Sequence, residues 1–195
     1  VTLRRAWESY KQVRKLRATT LRNYTARLNN QLGDWLDVPI IHLTEDAIQS
    51  RHEYITKNNG PAIANSAMRT LRAIIRFAQF KYRREDRTLL IQVNPVQQMN
   101  ELRAWNKDRR RTRIIAPGQM KAWYMGVMQL HNHVSRDLLL LLMFTGMRWE
   151  EASALRWYEV DLQQGLITLR DERCKNGHQY TISLSDYVWR LLQTR

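Results

Sequence analysis

Thiol chemistry is almost absent from this chain: Cys174 stands alone among 195 residues. One cysteine excludes an internal disulfide and a multi-cysteine zinc site, and it fits a reducing compartment. Cys174 itself reads as an incidental surface thiol. Long apolar runs are also lacking. The longest, Leu138 to Phe144, falls far short of the roughly 20 residues that a membrane helix requires, and the residues present show no signal-peptide pattern. There is no internal repeat or low-complexity tract. Acid is scarce: 18 Asp plus Glu face 32 Lys plus Arg, a formal net charge of +14.

What is present is uneven. Residues 1–115 carry 23 basic and 10 acidic residues, while 116–195 carry 9 and 8, so a polyanion binder is expected joined to a nearly neutral second part. Charge alone fits ribosomal, membrane-surface and DNA-binding proteins alike. A hydrophobic content of 44% allows a real core. The chain opens on Val1 and stops at Thr194-Arg195 without an obvious terminus signal, from which a fragment is expected.

Hydrophobic spacing divides the basic part into helices. Leu3, Ala6, Trp7, Tyr10 and Val13 mark a helix over residues 2–16. Leu21, Tyr24, Leu28, Leu32 and Trp35 mark a second over 19–35, with Thr19 or Thr20 as N-cap. Thr44 opens a third, carrying Ala47, Ile48 and Tyr54 and ending near Asn58-Asn59-Gly60, and Pro61 starts the fourth. In that fourth helix Ala64, Ala67, Met68, Leu71, Ile74, Ile75 and Ala78 form one apolar stripe. Asn65, Arg69, Arg72 and Arg76 follow one another on another face. A solvated face normally mixes signs to gain i,i+4 pairs; this one has no interleaved Glu, which favours phosphate contact over simple solvation.

Asn94-Pro95 closes the helical region. "RAWNKDRRRTR", residues 103–113, then holds six basic residues and one acid. Such a run serves either as a solvated linker or as a strap along a duplex, where each neutralised phosphate releases a counterion. Beyond it, helices are expected over Pro117–Leu130, Arg136–Phe144 and Trp149–Trp157. "GLITLR" and "HQYTISL" read as strands flanking the polar, Gly-containing tip "DERCKNG", and Ser185 is placed to cap a last helix through Leu192.

Few residues suggest chemistry. In "LLLLLMFTGMRWEEASALRW" a Thr-Gly break sets Arg148 in the first turn of a new helix, where free N–H groups and the helix dipole favour an anion. The planar guanidinium can hold two phosphate oxygens, and Glu151 shares its helix face and can fix it; a plain surface ion pair has the same spacing. Lys175 lies at the hairpin tip, where an ammonium can reach a groove and protonate a leaving oxygen or remain an ordinary turn residue. His131-Asn132-His133 spells the letters of a metal nuclease, but nothing nearby supplies that context, so no metal site is assigned.

Taken together, "TGMRWEEASALRW", "EVDL" and "ITLRDERCKNGHQYTISLS" resemble the first half of the catalytic domain of tyrosine recombinases, the phage integrase family. The helix "GPAIANSAMRTLRAIIRFAQF" and the "NP" after it resemble that family's core-binding domain. The resemblance implies a mainly α chain. A four-helix, SAM-like core-binding domain over residues 1–98 precedes a basic linker over 99–114. An α+β partial catalytic domain with a small antiparallel sheet occupies 115–195. It implies a C-shaped clamp on double-stranded DNA, contacted here by Arg22, Asn65, Arg69, Arg72, Arg76, Arg109, Arg110, Arg111 and Arg113.

The same resemblance makes Arg148 the first catalytic arginine, Glu151 its support and Lys175 the hairpin lysine that protonates the leaving 5′-oxygen. The chemistry is site-specific transesterification through a 3′-phosphotyrosyl bond, without metal or nucleotide cofactor. The family's later His-x-x-Arg and nucleophilic tyrosine are not matched before Arg195. The fragment is therefore expected to bind DNA without cutting it and to be monomeric, whereas the full-length enzyme, a prophage or mobile-element integrase in the bacterial cytoplasm, acts as a tetramer on DNA. A non-catalytic regulator or architectural protein with the same clamp is the alternative.

Overall fold

A computed structural model describes residues 1–195 apart from 85, 108–111, 172 and 174–176. The chain divides into two compact units, Val1–Arg111 and Thr112–Arg195.

The first unit is helical: α1 (Leu3–Val13), α2 (Ala18–Gln31), α3 (Glu45–Asn59), α4 (Pro61–Lys81) and the short α5 (Gln98–Glu101). Thr44 caps α3 by accepting the Ala47 N–H at 3.3 Å, and Glu45 and Asp46 in the first turn suit the positive helix end. Gly60, at φ +94°, breaks the chain between α3 and α4. Pro61 then begins α4 where a missing N–H costs nothing.

The start of α2 departs from the sequence reading. Arg17 is the N-cap and has no side-chain cap bond, because the helix already begins at Ala18 and leaves Thr19 and Thr20 inside its first turn. Helix α4 packs against α1, α2 and α3. Its seven expected core residues, Ala64 through Ala78, are all fully buried, each large one contributing about 1.5–3 kcal/mol. Leu3, Trp7, Leu28, Leu32, Ile48 and Ile55 close the core around it. Val13 and Tyr54, expected on the apolar stripes, are exposed; Tyr54 instead flanks the Arg51 guanidinium, 6.0 Å from its ring centroid.

The segment expected as a linker begins inside this unit. Met99 is buried, and α5 ends in a reversal in which Ala104 N–H reaches Met99 O at 2.9 Å and Arg103 N–H reaches Asn100 O at 3.1 Å. Arg103 takes the left-handed position at φ +52°. The turn brings Ala104 and Trp105 back onto the core. Met99, Ala104, Trp105 and Asn106 are thus packed against the helical unit, with residues 100–103 forming the exposed turn between them, and the division between units falls farther on.

The second unit holds α6 (Met120–Met128), α7 (His133–Thr145), α8 (Trp149–Ser153), β1 (Val160–Asp161), β2 (Leu166–Leu169), β3 (Tyr180–Ser183) and α9 (Asp186–Gln193). The strands form an antiparallel sheet in the order β1-β2-β3, with Ile167 opposite Ile182 and Leu169 opposite Tyr180. Ile167 and Leu169 point into a core shared with Leu141, Met147, Ala152 and Val188. Asn132 caps α7 by accepting the Ser135 N–H at 3.0 Å, so this helix starts before the expected Arg136 and takes in His133.

Helix α8 is shorter than expected. It stops at Ser153 rather than Trp157, because Glu159 accepts the Arg156 N–H at 2.9 Å and starts a separate turn over Trp157–Glu159. The architecture is mainly helical, a unit of four long helices and the short α5 followed by an α+β unit with a small antiparallel sheet. Among the described residues no helix is long and apolar enough to cross a membrane.

Candidate functional site

The apolar helix α7 ends at Thr145, and Gly146 reverses the chain at φ +67° while its N–H bonds Leu142 O at 3.0 Å. Met147 then plugs the core. Arg148, next in line, is the N-cap of α8 and lies just before its first turn. Glu151 is the hub of the arrangement. Its carboxylate accepts the Arg148 backbone N–H at 2.9 Å, the Arg148 guanidinium at 2.7 Å and the Tyr180 hydroxyl at 2.7 Å.

The pair is lopsided: the Glu151 side chain is 4% exposed and that of Arg148 51%. Burial pushes the Glu151 carboxyl up, but the bonds from Tyr180 and from the backbone and side chain of Arg148 outweigh it and bring it below the usual carboxylate range. A buried carboxylate biased toward its charged form therefore holds an arginine whose side chain is half exposed. Such a guanidinium is oriented to receive an oxyanion in its fork. The helix dipole contributes little, because α8 has five residues and carries Glu150 and Glu151 in its first turn.

Sequence reading did not assign Tyr180 to this site, although its alternation with Ile182 along β3 already placed both on one face. It also passed over Arg173, which pairs with the buried Glu159 and donates to Glu151 O at 2.9 Å. Arg173 thereby ties the connection between β2 and β3 to α8. Lys175 and Cys174 lie outside the described residues.

On the first unit, the basic face of α4 is rearranged relative to its sequence pattern. Arg69 and Arg76 are exposed and Arg72 half-buried, but Asn65 is 1% exposed. Its side chain pairs with both backbone groups of Asn106, Nδ2 donating to O at 2.9 Å and Oδ1 accepting from N at 3.2 Å. Asn65 is an internal fastener and has no amide to offer a phosphate. Its position between Ala64 and the buried His52, 3.0 Å away through Nε2, accounts for the difference.

Arg69 and Arg72 are brought together, their guanidinium carbons 5.7 and 5.5 Å from the centroid of the Trp105 ring. Contacts of this kind contribute about 0.5–1 kcal/mol each at exposed sites. Arg76 is set apart from them. With Arg14 and Lys81 it lines an open cavity of about 490 Å³ floored by Tyr10, Phe77 and Phe80. Arg22 on α2 and Arg113 are exposed; Arg109, Arg110 and Arg111 lie outside the described residues.

Residues 120–195 match the model of the Phage integrase family. The C-terminal unit belongs to the phage integrase family. The likeness of this chain to known proteins extends into the helical unit: prophage integrase IntF of Escherichia coli (strain K12) is 30% identical over 163 residues, 83% of this chain and 33% of that protein. The chain therefore spans about a third of that relative's length. Among solved structures, the Tn1549 transposon integrase in complex with transposon right end DNA superposes with a TM-score of 0.74 at 16% identity, over 100% of this chain and 64% of its own. A lambda integrase tetramer bound to a Holliday junction gives 0.73 at 22% identity, over 100% and 56%. At these identities the likeness is one of fold, and it bears out the expected sequence of a helical unit followed by an α+β unit.

Proposed function

We propose that this chain is the DNA-gripping and phosphate-holding part of a site-specific recombinase, a prophage or mobile-element integrase that cuts and rejoins DNA through a 3′-phosphotyrosyl intermediate. The observation that carries the reading is the half-exposed Arg148 held by the buried Glu151, itself anchored by Tyr180. In this scheme Arg148 grips the scissile phosphate and stabilises the charge that builds on its oxygens. A tyrosine hydroxyl attacks phosphorus, a 3′-phosphotyrosyl bond forms, and the 5′-oxygen leaves with a proton from Lys175. The reverse attack by a 5′-hydroxyl rejoins the strand, so the energy of the bond is conserved.

The basic residues of the first unit, Arg22, Arg69, Arg72 and Arg76, together with Arg109, Arg110, Arg111 and Arg113, contact the duplex backbone. Full-length subunits act as a tetramer on DNA in the bacterial cytoplasm, at the nucleoid. The 195-residue chain, which has no match to the family's later catalytic motif and tyrosine, binds DNA as a monomer without cutting it.

Two measurements test this reading. For the chain itself, about six phosphates neutralised among these eight arginines predict that log K for a duplex falls against log salt with a slope near −5; binding indifferent to salt would sink the DNA reading. In the full-length parent, Arg148→Ala is expected to lower formation of the covalent protein–DNA adduct on a nicked substrate by at least ~10²-fold, the scale for removing a transition-state charge clamp. Undiminished adduct would remove Arg148 from the chemistry.

A further inference from the structure

The indole of Trp105 has four neighbours of three chemical kinds. The Arg69 and Arg72 guanidiniums lie over it at 5.7 and 5.5 Å, and the ring of His52 meets it edge to face at 6.0 Å. Its Nε1–H donates to Asn100 Oδ1 at 2.7 Å, and the Arg72 guanidinium approaches that same oxygen at 3.5 Å. What holds Arg72 here is neutral: an indole and an amide oxygen, neither of which cancels its charge. The two distances to one centroid also keep the arginines on the same patch.

Trp105 is itself fixed. The left-handed Arg103 turns the chain back after α5, and the next residue, Asn106, is clamped through both backbone groups by Asn65. The Asn106 side chain donates to Thr56 Oγ1 at 2.8 Å. Residues on α3, α4 and α5 thus converge to hold one aromatic ring against a cationic face.

We infer that Trp105 is a positioning residue for nucleic-acid binding: it holds Arg69 and Arg72 side by side as a preorganised receptor for phosphodiester oxygens of a duplex. The inference rests on the DNA-binding reading above and deepens it. An arginine loses rotamer freedom when it grips a phosphate. A ring that has already ordered two guanidiniums reduces that loss on binding, and an indole does so without adding a negative charge of its own. The segment carrying Trp105 therefore serves as a brace for the basic face of α4 as well as a connection.

The test is a double-mutant cycle on the intact 195-residue chain, with a mixed-sequence duplex of about 30 base pairs as probe and affinity read by fluorescence anisotropy. Trp105→Leu keeps apolar bulk and removes the π face, whereas Trp105→Phe keeps the face and loses the Nε1–H. Trp105→Leu is expected to weaken binding roughly five- to thirtyfold, two exposed cation–π contacts converted at tenfold per 1.4 kcal/mol. Trp105→Phe should recover most of the loss. In an Arg69→Ala/Arg72→Ala background, Trp105→Leu should have no further effect.

A loss of the same size in both backgrounds would assign Trp105 a purely structural role and overturn the inference. So would wild-type affinity in Trp105→Leu. If the unaltered chain shows no salt-dependent binding to the duplex, the functional reading fails first and the inference fails with it. Should Trp105→Leu prove unfolded by circular dichroism, Arg69→Lys/Arg72→Lys replaces it: a loss of at least about fivefold supports stacked guanidiniums, and an unchanged affinity refutes them.

Discussion

Arg148 is the residue on which the catalytic reading turns, yet its direction is set by Glu151 and Tyr180. A hydrogen bond to a charged group contributes about 1.5–3 kcal/mol, so Tyr180→Phe is expected to lower stability by about that amount in urea unfolding. The sign of its pH dependence follows from the depressed Glu151 carboxyl. A carboxyl with a lowered folded pKa adds stability above the ordinary carboxylate range and loses it as pH falls through the folded value. Removing the Tyr180 bond raises that folded value, and acid unfolding should begin at a higher pH in Tyr180→Phe. An acid midpoint shifted downward would contradict the assigned network. The Arg148–Glu151 spacing was legible in the sequence as i,i+3. The contribution of Tyr180 was not, because the partners are separated by the whole sheet and only strand pairing brings them within 2.7 Å.

At the scale of elements, punctuation was the most legible feature. Thr44, Gly60-Pro61, Gly146 and Ser185 each mark a helix end where the sequence places one. Gly146 has open space around the position of a Cβ, so Gly146→Ala should cost only the left-handed backbone, about 1 kcal/mol. Arg103 occupies the equivalent position after α5 with an ordinary side chain, and Arg103→Gly should be neutral to stabilising by a comparable amount. Thermal unfolding should shift to lower temperature in Gly146→Ala and should not do so in Arg103→Gly. The end of α8 was illegible because the helical spacing of "EEASALRW" continues past Ser153, while the choice to stop depends on Glu159 folding back onto Arg156.

At the scale of the molecule, two separate apolar clusters accompany the two units. Leu71 is fully buried in the first, and Leu71→Ala should destabilise it by about 2–5 kcal/mol. Calorimetry should show that loss in a transition assigned to the helical unit, with the transition of the sheet-containing unit left in place; equal displacement of both would show that the cores unfold as one. Charge follows the same division, since residues 1–115 hold nearly all of the net +14. On the proposed function, steering toward a polyanion falls to the helical unit and phosphate gripping at Arg148 to the other.

The sequence by itself determined the four long helices of the first unit, the stripe that buries α4, the hairpin strands β2 and β3 and the pairing of Arg148 with Glu151. All of these depend on periodicity or on neighbours within a turn. Tertiary structure decided the rest. It turned Asn65 inward from the basic face, folded residues 99–106 onto the helical unit, set Trp105 against Arg69 and Arg72, and anchored Glu151 through Tyr180. Each of these joins groups distant along the chain, and a buried polar group must find a partner wherever packing offers one. No local pattern encodes which partner that will be.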